Sequence, residues 1–381
     1  MEDLKSYRGT RIVVAMSGGV DSSVTAALLA EAGAEVIGMT MRVFDYTETS
    51  RSGSCCSPDD VYDARRVADH LGIPFYLLNF EERFRRAVID EFVAEYRRGR
   101  TPNPCIRCNE HVKFATFLER ARALGAAFIA TGHYARIRRN PRTGRFELLR
   151  GCDRAKDQSY FLFPMKQAQL ARTLFPVGGL DKEGVRAHAE RLGLPVARKA
   201  DSQEICFIPD HDVRGFLEKR IGAAHAGEGE IIDWASGRVV GRHKGLHGYT
   251  IGQRRGLGIS AATPRYVVSI DPARNRLFVG EKEALRAAGA LVRQVNWIAR
   301  TAPETPIEAQ VKIRHAHEPA PALLYPDRKG GVEVYFHEPQ FAVTPGQAAV
   351  FYDGAVVLGG GWIETSIALP RMAISPRERT G

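Results

Sequence analysis

The sequence IVVAMSGGVDSS at residues 12–23 decides the fold of this chain. Its first five residues are apolar and rich in β-branched side chains, which predicts a buried strand, and residues 23–32 predict a helix. The turn between them is rich in glycine and serine. Backbone N–H groups at a helix N-terminus attract anions, and glycine lets the backbone approach a ligand closely. The stretch therefore predicts a phosphate cradle, but not a Walker loop, because no Gly-Lys-Ser/Thr follows.

Strand-like and helix-like segments alternate around this loop, from residue 11 to about residue 210. Strands are predicted at 12–16, 35–40, 75–79 and 128–131, and helices at 23–32, 59–71, 82–98, 111–124 and 181–192. This alternation predicts an α/β fold with a doubly wound parallel sheet. Ligands of such sheets bind at the carboxyl ends of the strands, where residues 17–23, Met41, Gly132 and His133 fall. A hairpin at residues 135–150 interrupts the pattern.

After about residue 210, the chain differs from the α/β part in its composition and in its hydrophobic pattern. The 381 residues predict two or three domains. We assign residues 1–210 to the α/β domain and 211–285 to a small, glycine-rich β domain. Residues 286–372 alternate with period two, at 308–314, 322–325, 332–336, 348–352 and 355–358, and predict a C-terminal β-barrel. Residues 373–381 are a polar tail.

The net charge of the chain indicates which class of partner it would bind. A formal net charge of +10 suggests a polyanion, with nucleic acid first, although a basic protein without such a partner has the same composition. Arg254 and Arg255 lie in a glycine-rich loop and predict a phosphate contact. No apolar run reaches membrane-spanning length and no signal-peptide pattern follows Met1, so we expect a cytoplasmic location and no membrane partner.

Three of the six cysteines form a constellation. Cys105 and Cys108 have C-x-x-C spacing in TPNPCIRC (residues 101–108), where two prolines predict an ordered loop rather than a helix. With Cys206 they can ligate a [4Fe–4S] cluster that keeps one iron open, or two of them can relay a persulfide. A third interpretation is that they are buried and inert.

The surroundings of the cysteines add two expectations. Basic residues nearby lower the pKa of a thiol, so the side chains that would do so here, if close, are Arg107, Lys113 and Arg198. No role is assigned to Cys55, Cys56 or Cys152.

The loop at residues 17–23 resembles the PP-loop of ATP pyrophosphatases (adenine nucleotide alpha hydrolase-like proteins), which attach AMP to a substrate oxygen. Further motifs are ATGHY at 130–134, KDQSYFL at 156–162, HGYTIGQRRGLG at 247–258 and VTPGQ at 343–347. With the cysteines, they make nearly the whole chain similar to bacterial tRNA-specific 2-thiouridylases of the MnmA/TrmU type. The resemblance implies a PP-loop catalytic domain, a central adaptor and a C-terminal β-barrel.

The resemblance also implies site residues. It makes Cys108 the nucleophile and Cys206 the persulfide-bearing cysteine, which would form a disulfide in air if close. The segment Asn103, Pro104 and Cys105 would face the target base. The implied ATP contacts are Ala15, Met16, Ser17, Gly18, Gly19, Val20, Asp21, Ser22, Met41 and Gly132. The implied tRNA contacts are His133, Lys156, Asp157, Gln158, Arg314, His315 and Gln347.

The implied reaction is ATP-dependent 2-thiolation of the wobble uridine, position 34, by a sulfurtransferase. Transfer of AMP to uracil O2 releases pyrophosphate, and sulfur then displaces AMP. Mg²⁺ is the expected metal, and Asp21 is either its carboxylate ligand or a helix N-cap. The wobble base must be flipped out of its stack, and His133 and Asn103 are candidates to orient it. The expected partners are the anticodon arm of tRNA and a persulfide donor, such as a cysteine desulfurase or a sulfur-relay protein.

One departure from the family pattern bears on the mechanism. Many members carry Asp where this chain has Cys105, so the acid–base role proposed for that Asp is in doubt, and a cluster-dependent mechanism gains support. The competing interpretations are an amidotransferase-type synthetase, a tRNA lysidine-type ligase, or a non-catalytic iron–sulfur or RNA-binding protein. Pyrophosphate release stimulated by tRNA distinguishes all of these from a thiouridylase.

Overall fold

The computed structural model describes residues 3–43, 58–201, 205–208, 212–222 and 227–369. Cys55, Cys56 and the polar tail lie outside the described residues. The described part of the first two hundred residues contains seven strands. They are β1 (Arg11–Ala15), β2 (Glu35–Arg42), β3 (Phe75–Asn79), β4 (Phe128–Thr131), β5 (Ala135–Arg139), β6 (Phe146–Arg150) and β7 (Thr173–Leu174). Five of them form a parallel sheet in the order β3-β2-β1-β4-β7.

Helices cover both faces of this sheet. They are α1 (Val20–Glu31), α2 (Pro58–Leu71), α3 (Glu81–Phe84), α4 (Asp90–Arg97), α5 (Pro104–Cys108), α6 (Leu118–Ala123), α7 (Gln167–Leu170), α8 (Lys182–Arg191) and α9 (Val213–Ile221). Because side chains alternate along a strand, Ile12 and Val14 of β1 pack with α1, α2 and α8, whereas Val13 faces the core that contains α4 and α6. The doubly wound parallel sheet is confirmed.

The prediction of a loop around the C-x-x-C pair is wrong. Residues Pro104–Cys108 form α5, which continues through a π-helical stretch, Asn109–Phe117, into α6. A second π-helical stretch, Arg85–Ile89, joins α3 to α4. Proline is tolerated in the first turn of a helix because its missing N–H has no intrahelical acceptor there, and Pro104 occupies that turn. The prolines therefore mark where the helix starts.

Two further sheets follow the parallel sheet. The small one has the order β10-β11-β8-β9. Its strands are β8 (Gly229–Asp233), β9 (Val239–His243), β10 (Tyr266–Asp271) and β11 (Arg276–Gly280). The last six strands are β12 (Arg286–Trp297), β13 (Ile307–Lys312), β14 (Ala320–Pro326), β15 (Val332–Phe341), β16 (Ala348–Asp353) and β17 (Val356–Ala368). They run β12-β15-β14-β13-β16-β17, and pairing of β12 with β17 closes the predicted β-barrel.

The hairpin β5–β6 connects the α/β part to the barrel. Strand β6 is hydrogen-bonded to β17, with Leu149 opposite Val356, so the hairpin extends the barrel sheet. Tyr160 donates from its hydroxyl to the carbonyl of Ala348 at 3.0 Å, and Leu148 shares one hydrophobic core with Val350. The α/β part and the barrel therefore have a common core. In the part of the chain that the structure describes, no helix is long and apolar enough to cross a membrane.

Candidate active site

The loop after β1 folds against the first turn of α1. Gly18 has φ +73°, and a Cβ there would overlap the carbonyl oxygen of Asp60, so only glycine fits. Ser22 and Ser23 donate from their hydroxyls to the carbonyl of Gly19 at 3.1 and 2.8 Å, and the Ser17 amide donates to Ser22 Oγ at 3.1 Å. These bonds gather hydroxyl and amide groups at a helix N-terminus, which is a favourable place for phosphate.

Asp21 is not the N-cap of α1, which corrects one of its two predicted roles. Gly19 occupies the N-cap position, and no side chain caps the helix. Asp21 lies in the first turn, where its Oδ1 accepts from the Tyr134 hydroxyl at 2.8 Å and from Lys182 Nζ at 2.7 Å. Burial and the charge of Asp21 raise the pKa of Tyr134, so its hydroxyl keeps the proton that it donates.

The other predicted ATP contacts lie on the same edge of the sheet. Gly132 follows β4, and a Cβ there would come within 2.7 Å of the Asp21 carbonyl carbon and the Ser22 nitrogen. Glycine therefore allows the end of β4 to touch the first turn of α1. Met41 lies near the end of β2, buried beside Val43. The carboxyl ends of β1, β2 and β4 meet here, which is where open α/β sheets bind ligands.

Lys182 and Asp201 belong to this site, and sequence reasoning missed both. Lys182 Nζ lies 2.7 Å from Asp21 Oδ1 and 2.7 Å from Asp201 Oδ1. Asp201 also accepts from Lys156 at 2.9 Å. Burial raises the pKa of Asp201, but the hydrogen bonds from Lys182 and Lys156 outweigh burial and hold this pKa below its ordinary value. No local motif reveals a contact between residues 161 positions apart.

Two of the cysteines, Cys105 and Cys108, lie on α5. Cys108 and Cys206 are half-buried and pack against the same hydrophobic core. Cys105 is exposed on the first turn of α5. The Phe207 ring anchors the Cys206 segment, because it contacts Phe92 at 5.4 Å between ring centroids. Cys152 is exposed and remains without an assigned role.

The [4Fe–4S] cluster stays a prediction. Among the described residues, which include Cys105, Cys108 and Cys206, no three His, Cys, Asp or Glu side chains are grouped so that they could hold a metal ion. Mg²⁺ needs few protein ligands, since one carboxylate together with substrate phosphates is enough to bind it. Asp21 is the carboxylate predicted for this role.

Arg107, between the two cysteines of α5, is held by neighbouring elements. Its guanidinium lies 2.6 Å from Glu91 and 2.9 Å from Glu110, and it stacks 4.0 Å from the ring of Trp362 in β17. Burial raises the pKa of Glu91, although the charge of Arg107 opposes this effect. Arg107 therefore ties α5 to α4 and to the barrel, and two carboxylates share its charge.

Several predicted tRNA contacts have structural partners within the chain. Asn103 N-caps α5, with its Oδ1 accepting from the Ile106 amide at 3.4 Å. Asp157 is buried and accepts from the amides of Gly151 and Ser159 at 3.0 Å each. Gln158 Oε1 accepts from the Tyr134 amide at 3.0 Å. The tRNA roles of these residues remain predictions.

The remaining predicted tRNA contacts are distributed over all three parts of the chain. His133 Nδ1 lies 2.7 Å from Thr131 Oγ1, and burial, followed by the charge of Lys113, lowers its pKa well below the ordinary value. The His315 ring lies 4.6 Å from Phe161, while Arg314 donates to the Phe341 carbonyl at 3.2 Å. Arg254 is exposed. His133 is therefore a neutral imidazole at neutral pH.

Three parts of the chain converge on Thr101, just before α5. The Thr101 amide donates to the Pro345 carbonyl at 3.0 Å, and the Thr101 carbonyl accepts from Gln347 Nε2 at 2.8 Å. The Thr101 hydroxyl lies 3.4 Å from that of Thr250, which belongs to the small central part. The barrel and the central part together fix where the cysteine helix begins.

Family models match almost the whole chain. Residues 10–210 match the tRNA methyl transferase HUP domain, and residues 214–281 match the tRNA methyl transferase PRC-barrel domain. Residues 288–363 match the aminomethyltransferase beta-barrel domain.

Curated relatives are similar over the same length. The protein named tRNA-specific 2-thiouridylase MnmA of Geobacter metallireducens is 56% identical over 362 residues, which cover 94% of this chain and 97% of that protein. The protein of the same name from Geotalea uraniireducens is 54% identical, over 96% and 97% of the two chains. A solved 4-thiouridine synthetase–RNA complex with bound ATP has a TM-score of 0.34 and 16% identity, covering 56% of this chain and 50% of that one. This last likeness is too low to bear on the site.

Proposed function

This chain belongs to the family of tRNA-specific 2-thiouridylases, and we propose that it uses ATP to convert the wobble uridine of tRNA, position 34, to 2-thiouridine. The proposal depends on the similarity of this chain to proteins named for this reaction. Their sequence identity to it is above one half, over more than nine tenths of both chains. Two of the matching domain models are named after methyl transfer. A phosphate-binding loop and paired cysteines support ATP-dependent sulfur transfer instead.

The first step is adenylation at the edge formed by β1, β2 and β4. Uracil O2 attacks the α-phosphorus of ATP, the bond to the β-phosphate oxygen breaks, and pyrophosphate leaves. The amides and hydroxyls of residues 17–23 and the N-terminus of α1 stabilise the charge on pyrophosphate. Asp21 would hold Mg²⁺, which neutralises phosphate charge when bound.

The second step is sulfur transfer from cysteine. The Cys108 thiolate attacks the inner sulfur of a Cys206 persulfide, forms a Cys108–Cys206 disulfide and releases hydrosulfide. Hydrosulfide attacks carbon 2 of the adenylated base, and AMP leaves with the former O2. A thiol reductant then restores both cysteines. We choose this relay over the cluster because Cys108 and Cys206 pack against one core, whereas Cys105 is exposed.

The tRNA would be bound by all three parts of the chain. We assign base recognition to Asn103, Pro104, Cys105 and the neutral imidazole of His133. Contacts to the anticodon arm are proposed for Lys156, Asp157, Gln158, Arg254, Arg314, His315 and Gln347. We keep the domain boundaries at residues 210 and 285, and propose a cytoplasmic reaction in which a cysteine desulfurase or a sulfur-relay protein delivers the persulfide.

The proposal is tested with purified protein, tRNA, ATP and a persulfide donor. We expect one AMP and one pyrophosphate per thiolated uridine, with thiolation read by retardation on mercury-containing gels. Asp21→Asn should stop pyrophosphate release, whereas Cys206→Ser should block thiolation but leave adenylation intact. Cys152→Ser is the matched control and should behave as wild type. Release of ADP instead of AMP, or thiolation by Cys206→Ser, would overturn the scheme.

A further inference from the structure

The PP-loop of this chain has no lysine of its own, but the fold brings one to it. We propose that Lys182 is a phosphate ligand of the adenylation site and binds the pyrophosphate portion of ATP. This inference rests on the proposed function, because it assumes that ATP binds at residues 17–23. A lysine of α8 would thus supply the positive charge that, in a Walker loop, comes from a lysine within the loop itself.

The position of Lys182 is fixed from both ends. Its backbone amide donates to Asp153 Oδ2 at 3.1 Å, at the start of α8. Its side chain is only 13% exposed and ends against the first turn of α1, with Nζ 2.7 Å from Asp21 Oδ1. A ligand bound at the N-terminus of α1 therefore lies within reach of this ammonium group.

The contacts of Lys182 leave capacity for a ligand. An ammonium group has three donors. Among the described residues, Nζ contacts two acceptors, Asp21 Oδ1 and Asp201 Oδ1. One N–H is thus left to bond an incoming anion without breaking either ion pair.

Neither carboxylate depends on Lys182 alone. Asp201 also contacts Lys156 at 2.9 Å and Arg186 at 3.5 Å. Asp21 accepts from Tyr134, and Mg²⁺ would supply a cation there when it arrives with the nucleotide. The third N–H of this mostly buried ammonium can then bond the pyrophosphate portion of ATP.

The competing explanation is that Lys182 only joins α8 to α1. The chain offers a matched control for it. Arg191, on the same helix α8, bridges to Glu31 of α1 at 2.7 Å, and residues 20–31 of α1 separate that pair from the loop. Arg191→Met removes an α8–α1 ion pair without touching the phosphate cradle.

The test measures binding rather than turnover, with the full-length protein and with inorganic pyrophosphate, ATP and AMP as probes in the presence of Mg²⁺. Lys182→Met should weaken binding of pyrophosphate and ATP by about 10- to 100-fold, the scale of a charge-assisted hydrogen bond. AMP binding should change by less than about 3-fold, because AMP lacks the pyrophosphate portion. Lys182→Arg should recover part of the loss, and Arg191→Met should match wild type.

The results distinguish a structural role of Lys182 from the absence of an ATP site. Wild-type pyrophosphate and ATP binding by a folded Lys182→Met protein would show that Lys182 is a structural ion-pair residue. Equal losses in Lys182→Met and Arg191→Met would show the same. If wild-type protein itself binds neither probe, the proposed ATP site fails. Should Lys182→Met not fold, Lys182→Gln replaces it in the same comparison.

Discussion

Cys105 and Cys108 are three residues apart on one helix but differ in environment. Cys105 is exposed, whereas Cys108 is half-buried against the core that it shares with Cys206. In the persulfide relay, Cys105 has no covalent role. A cluster would instead require all three thiolates.

We therefore expect iron-free Cys105→Ala protein to thiolate tRNA within about 3-fold of wild type when given a persulfide donor, because thiolate exchange needs only two cysteines. Cys108→Ala should be inactive under the same conditions. The measurement is thiolated tRNA together with the iron content of each preparation. Inactivity of Cys105→Ala, with iron restoring wild type, would favour the cluster.

His133 binds a proton less readily in the folded protein than in the unfolded chain. Burial and Lys113 lower its pKa in the folded protein, whereas the unfolded imidazole takes a proton below about pH 6.5. The unfolded state then binds more protons, so folding is penalised as the pH falls below 6.5, and no penalty exists above it. His133→Gln should narrow the difference in melting temperature between pH 7.5 and pH 5.5. An unchanged difference would contradict the shift.

At the scale of elements, α5 shows how Asn103 supports the cysteines. Asn103→Ala should destabilise the protein by about 0.5–1 kcal/mol, since it removes an N-cap whose hydrogen bond is long. Asn103→Ser keeps a capping oxygen and should retain stability in urea unfolding. If Asn103 also reads the base, Asn103→Ser will still lower kcat/KM for tRNA. Equal stability of the Ala and Ser variants would argue against the cap.

The same scale shows what the sequence could predict. Strands β1 to β4 follow from short apolar runs and the hairpin β5–β6 from its turn residues, which are local signals. Strand β7 has two residues and no pattern of its own, and β12 contains bulges that break its alternation. Residues 17–23 and the cysteines can each be recognised from local motifs as candidate site residues. The Asp21–Lys182 and Arg107–Trp362 contacts are tertiary and leave no mark in the local sequence.

At the scale of the whole molecule, the net charge of +10 should govern tRNA binding. The logarithm of the affinity should fall linearly with the logarithm of salt concentration, with a slope of several phosphate contacts. Arg254→Ala should reduce that slope by about one. Arg274→Ala is the control, because this exposed arginine is already paired with Asp271 at 3.1 Å. A flat salt dependence would show that the charge does not serve tRNA binding.

The pairing of β6 with β17 has a consequence for biosynthesis. The ribosome synthesises the hairpin long before β17, the strand that pairs with β6, because Leu149 and its partner Val356 are far apart in the sequence. At roughly 5–20 residues per second, this wait lasts on the order of ten to forty seconds. During that time β6 presents an open edge to other nascent chains. A gene truncated before residue 356 should therefore yield an aggregation-prone product in which β6 has no partner strand on this edge.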